Sequence, residues 1–135
     1  MRENMIIVGL GAVGGAVATA LGGWDYALQS LMVFMGIDYV TGLVVAAVFK
    51  KSKKSAYGSL ESAAGFKRLI RKVMTLLMVL IANYIDILLG TGFVRYAVIV
   101  AFIINELISI MENAGLMGVP VPDILKKIIG ILRKK

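Results

Sequence analysis

At 135 residues the chain is one domain long, and with 59% hydrophobic residues, 17% charged residues and a mean hydropathy of +0.88 it is too apolar for a soluble domain. The net charge of +7 sits in basic clusters between long apolar runs, a pattern that speaks for lipid headgroups and membrane topology and against nucleic acid. The chain has no Cys, hence no disulfide framework or thiolate metal site, and no His, the commonest general base; no catalytic residue, metal or cofactor is expected.

A helix crosses the hydrocarbon core with about 20 largely apolar residues. On that measure residues 1–135 read as a single all-α transmembrane domain with four spans, near 5–23, 27–49, 73–93 and 95–113. The first span is built mostly from Gly, Ala and Val. Gly11, Gly15, Thr19 and Gly23 recur in it every four residues, with Gly14, Ala18 and Gly22 on a neighbouring ridge. Small residues at this spacing let two membrane helices approach closely, so the ridge is expected to drive self-association rather than packing within one chain. A cleaved signal peptide is disfavoured, although Ala16-Val17-Ala18 resembles a cleavage site, because Arg2 beside Glu3 leaves the leading segment nearly neutral.

Gly22-Gly23-Trp24-Asp25-Tyr26 reads as a tight turn with two aromatics suited to the headgroup layer. The second span carries Asp38 near its middle, with Thr41 one turn on. Because no Lys or Arg lies deep inside a span, Asp38 is expected to be protonated and hydrogen-bonded near Thr41, or to face water. A basic loop at 50–72 follows, holding Lys50, Lys51, Lys53, Lys54, Lys67, Arg68, Arg71 and Lys72. These residues are expected to set topology and touch anionic headgroups.

Asn83 and Asp86 share a stripe in the third span with Gly90, and Gly90-Thr91-Gly92 forms the next turn. Arg95 is placed there to partner Asp86. In the fourth span Asn105, Ser109 and Glu112 make a second stripe, with Glu106 and Asn113 adjoining. Intramembrane polar stripes line a pore or join helices within one subunit, and both readings stay open. Gly115, Gly118, Pro120 and Pro122 break the helix. The tail at 120–135, with Lys126, Lys127 and Arg133, alternates apolar and basic residues as a helix lying on the membrane surface.

Four spans put fourteen of the fifteen Lys and Arg on one side, leaving only Arg95 opposite. A three-span arrangement would strand one basic group outside. The positive-inside rule then places both termini and the basic loop in the cytoplasm. Met1 and Met5 as alternative starts would add Arg2 and Glu3 together, with no change in charge.

Several segments resemble a known family. Asp38-Tyr39-Val40-Thr41-Gly42 looks like a D-x-x-T-G signature, and residues 62–72, with Gly65 and the basic residues, fit the approach to the third span. Residues 105–113, NELISIMEN, are similar to an N-E-x-x-S-I-x-E-N block, with Gly115 and the exit Gly118-Val119-Pro120-Val121-Pro122 behind it. Over roughly residues 30–130 the chain resembles the toxin-secretion/phage-lysis holins. That resemblance implies a non-enzymatic, multi-pass protein of the bacterial cytoplasmic membrane. It would homo-oligomerise to form lesions, with an endolysin or large toxin as a functional partner that need not touch it. The alternatives are a small proton-coupled transporter or exporter, or an accessory subunit of a membrane complex.

Overall fold

The computed structural model describes residues 1–50 and 62–134, excepting the Lys134 side chain. Five helices follow one another: α1 (Arg2–Ala20), α2 (Tyr26–Val44), α3 (Ser62–Leu89), α4 (Phe93–Leu116) and α5 (Asp123–Lys134). α2 runs on into a π-helical turn, Val45–Phe49, and ends where Lys50 turns left-handed at φ 52°. No strand occurs among the described residues. The first four helices, α2 counted with its π-helical turn, are long and apolar enough to cross a membrane, and the chain is a multi-pass membrane protein.

The helix ends follow local chemistry. Gly22 and Gly23, at φ 101° and 106°, adopt backbone that side chains resist, so α1 stops before them rather than at residue 23. Asp25 caps α2 by accepting a hydrogen bond from the Leu28 amide at 3.0 Å. Pro120 and Pro122 separate α4 from α5, whose first turn closes on the Pro122 carbonyl.

α3 departs most from the expected boundaries. It begins at Ser62, so residues 62–72 of the expected loop form its first three turns. Ala63, Ala64 and the long basic side chains suit a helix, and no proline interrupts them. Its 28 residues make a rod about 42 Å long, well beyond a hydrocarbon core of about 30 Å.

α2, α3 and α4 form a three-helix bundle. Leu28, Leu31, Met35, Val79 and Ile99 are buried at its centre, together with Leu21 from the first turn. α1 stands apart, with none of its residues buried. Between its C-terminal half and the bundle lies an apolar cleft of about 620 Å³, reaching Gly15, Ala18, Trp24, Met32 and Leu76. α5 packs back on α4 through Ile129 and leaves Ile124, Leu125, Ile128 and Ile131 exposed.

Candidate functional site: an ionic knot inside the bundle

Three polar faces meet where α2, α3 and α4 pack. On α2, Asp38, Thr41 and Gly42 share a face at i, i+3 and i+4; on α3, Arg68 and Lys72 are one turn apart; on α4, Glu106, Ser109 and Asn113 stand at i, i+3 and i+7. Lys72 Nζ bridges two carboxylates, at 2.8 Å from Asp38 Oδ2 and 2.9 Å from Glu106 Oε2. Arg68 adds a second cation, with Nη2 at 3.9 Å from Asp38 Oδ2 and 3.0 Å from the Asp38 carbonyl. Ser109 Oγ donates to Asp38 Oδ1 at 2.5 Å. Asn113 Nδ2 donates to Asp38 Oδ1 at 3.2 Å and to Thr41 Oγ1 at 2.8 Å.

Asp38, Arg68 and Asn113 are all less than a tenth exposed. Two acids and two bases make the knot neutral. Among the described residues no buried side-chain nitrogen or oxygen lacks a hydrogen-bond partner. That balance matters because an isolated charge in this setting is costly, while a compensated one roughly breaks even.

Gly42 explains the last letter of the D-x-x-T-G signature. The Arg68 guanidinium passes so close that any Cβ at position 42 would overlap it. Tyr39 covers the other side, its ring centroid 5.3 Å from Arg68 Cζ and its hydroxyl 3.5 Å from the Gly65 carbonyl. The residues that carry the family resemblance thus converge in space.

Asp38 is therefore not the unpartnered acid expected from the sequence. Sequence alone places Lys72 at the end of a loop, whereas the early start of α3 brings it level with Asp38. Lys72 and Arg68 likewise turn inward rather than toward headgroups. Along the helix axes Asp38 lies about 18 Å from Tyr26, and Glu106 about 20 Å from Phe93. The knot thus sits in the half of the bundle nearer Phe49 and Ser62.

A second polar group gathers at the other end. Arg95 was expected to partner Asp86, yet its guanidinium forks onto Asp25, Nη1 to Oδ2 at 2.7 Å and Nη2 to Oδ1 at 3.1 Å. It also donates to the carbonyls of Leu21 and Gly23. The Arg95 hydrogen bond holds the Asp25 carboxyl below the ordinary aspartate range against the opposing effect of burial. Asp86 instead receives the Val94 and Arg95 amides, at 3.0 and 2.8 Å, and the Thr91 hydroxyl at 2.6 Å. It acts as a cap for α4. Asn83 donates to the Ala20 carbonyl at 2.9 Å. These contacts tie the root of α1 to the bundle and leave its length free.

Of the residues expected along polar stripes, Asp38, Thr41, Glu106 and Ser109 come together, Asn83 and Asp86 lie at the opposite end, and Asn105 and Glu112 are exposed. On the small-residue ridge Gly11, Gly15 and Thr19 are exposed, and a Cβ at Gly11, Gly15 or Gly23 would meet nothing within 4 Å. Lys50, Lys67, Arg71, Lys126, Lys127 and Arg133 are exposed, as headgroup contacts need to be. Lys51, Lys53 and Lys54 lie outside the described residues. Sequence reasoning missed Arg68 and Lys72 as ion-pair partners, and Asp25 as the partner of Arg95. The i, i+4 spacing of Arg68 and Lys72 was the available signal.

The family model of bacteriophage holins matches residues 15–134. An uncharacterised protein of Halalkalibacterium halodurans, BH0965, is 43% identical over 124 residues, covering 87% of this chain and 86% of its own. Lin0175 of Listeria innocua, also uncharacterised, is 39% identical over 96% of this chain and 85% of its own. A Clostridium perfringens protein named for the nagH 3′ region is 34% identical over 98% of this chain and 96% of its own. No solved structure matches the chain.

Proposed function

Since the chain belongs to the bacteriophage holin family, we propose that it homo-oligomerises in the cytoplasmic membrane of a bacterial host and opens lesions there. The lesions would release an endolysin or a large toxin without direct contact with that cargo. Both termini and the basic residues face the cytoplasm in this reading, as the charge asymmetry requires.

The observation that supports the mechanism best is the contrast between α1 and the rest. α2, α3 and α4 satisfy the buried charges of the knot among themselves, so a single copy needs no neighbour to neutralise them. α1 has no buried residue and carries open space above Gly9, Gly11, Gly14 and Gly15. In lipid, apolar surface alone gives helices little reason to associate, and close backbone approach at small residues supplies it. α1 is then the surface by which copies gather. The charged residues of the knot become lesion-lining groups once neighbouring copies replace the internal contacts.

Induced expression in a bacterium, with no hydrolase present, is expected to abolish membrane potential and respiration after a delay. Co-expression of a cytoplasmic endolysin should then clear the culture. Intact potential and viability, the behaviour of a coupled exporter, would overturn the reading.

Gly15→Leu tests the role of α1. The leucine has room within the single chain, so folding should be unchanged while close helix approach is blocked. Crosslinked oligomers should diminish and the collapse of potential should be delayed or lost. An unchanged oligomer ladder with unchanged timing would remove α1 from the assembly surface.

A further inference from the structure

The knot does not fill the space between α3 and α4. Beside it lies an open polar cleft of about 180 Å³, walled by Arg71, Lys72, Thr75, Asn105, Glu106 and Ser109. At about 30 Å³ per water in the liquid, that is room for about six waters, or for a phosphate group with a short polyol. Lys72 and Glu106 are bound to each other and to Asp38. Arg71 is exposed and, among the described residues, makes no ion pair. The uncommitted charge at the cleft is therefore positive.

Depth selects the ligand. Arg71 stands 18 residues before Leu89, about 27 Å along α3, close to the full thickness of a hydrocarbon core of about 30 Å. Helical side chains lean toward the N-terminus, here away from the membrane centre, and a long arginine snorkels to the phosphate layer. Lys67, one turn nearer Ser62, is a second exposed cation on the same face. On the other side Met74 and Met78, at i+3 and i+7 from Arg71, are apolar and 46% and 36% exposed. Two cations followed by an apolar strip match the outline of one phospholipid, with the headgroup at the cleft and an acyl chain along the methionines. A free anion has no use for the strip.

We infer that this cleft binds the headgroup of an anionic phospholipid, with Arg71 holding the phosphate and the Asn105 amide the headgroup hydroxyls. The site rests on the membrane placement proposed above and not on lesion formation, so it stands even if the protein never collapses a membrane potential.

The test uses the full chain in detergent micelles carrying phosphatidylglycerol or phosphatidylcholine, with retained lipid per protomer read by native mass spectrometry. Wild type should retain phosphatidylglycerol in preference to phosphatidylcholine. Arg71→Gln should weaken that retention about fivefold, the worth of one cation near an anionic surface. Arg71→Lys should keep most of it, and Arg2→Gln, on the exposed first turn of α1, should change nothing. Asn105→Leu, which leaves every basic residue in place, should also reduce the preference, and circular dichroism should find both variants folded. Equal retention by wild type and Arg71→Gln, or an equal loss from Arg2→Gln, would overturn the site. Displacement of the lipid by millimolar inorganic phosphate would show that the cleft reads a free anion, and would overturn the lipid assignment. The preference can fail while membrane potential still collapses on expression, so the two readings fail separately.

Discussion

Lys72→Met is expected to loosen the α2–α4 bundle by about 3–5 kcal/mol, the cost of removing one partner from a buried ion pair. The shape of the side chain is nearly conserved, so little packing is lost. What disappears is the cation at 2.8 Å from Asp38 and 2.9 Å from Glu106. Arg68, at 3.9 Å from the Asp38 carboxylate, is too far to replace it, and Glu106 keeps no other ion-pair partner among the described residues. Detergent-denaturation midpoints in micelles, or the rate of proteolysis, measure the loss. Adding Glu106→Gln to Lys72→Met should recover a sizeable part of it, because the second change removes one of the two stranded charges. Where the single variant still inserts, the membrane potential should collapse earlier than with wild type, since the bundle is easier to open. A wild-type midpoint for Lys72→Met would mean that the knot does not hold the bundle.

Gly42→Ala should be almost as damaging, although it adds a single methyl group. The new Cβ would overlap the Arg68 guanidinium, which is held between Gly42, the Tyr39 ring and the Asp38 carbonyl. Displacing it combines overpacking with a buried charge that has lost its acceptor, together about 2–4 kcal/mol. Gly36→Ala is the matched comparison on the same helix. Position 36 is exposed with nothing within 4 Å of its Cβ, so alanine there should be neutral or stabilising by up to about 1 kcal/mol. A cycle with Arg68→Ala isolates the cause. Once Arg68 is gone, Gly42→Ala should cost little, and the non-additivity should exceed about 1 kcal/mol. Equal behaviour of the two alanine variants would show that the guanidinium does not need the glycine.

Both changes act on the contacts of residues that the sequence marks without explaining. Asp38, Thr41, Gly42, Glu106, Ser109 and Asn113 belong to the two signature segments, yet a signature does not say what its letters touch. Asp38 read as an acid without a base, and Arg95 as the base for Asp86. Depth along one helix suggests both readings, but the partner is decided in each case by where another helix begins or turns.

The membrane character of the chain, its four spans and the glycine and proline breaks between them were determined by the sequence alone. Hydropathy adds up residue by residue, and a segment in lipid must satisfy its own backbone, so a helix there is a property of the segment itself. The small-residue ridge of α1 and the one-sided distribution of basic residues are local in the same way. Tertiary structure decided the rest. The pairing of Lys72 with Asp38 and Glu106 spans 34 residues in each direction, and it exists because α3 starts at Ser62 and runs antiparallel to α2 and α4. The Arg95–Asp25 fork spans 70 residues and depends on a turn at Gly22 that leaves its carbonyls within reach. A charge in lipid takes whichever opposite charge the helix register brings to its own depth, and register is a relation between segments that no single segment contains.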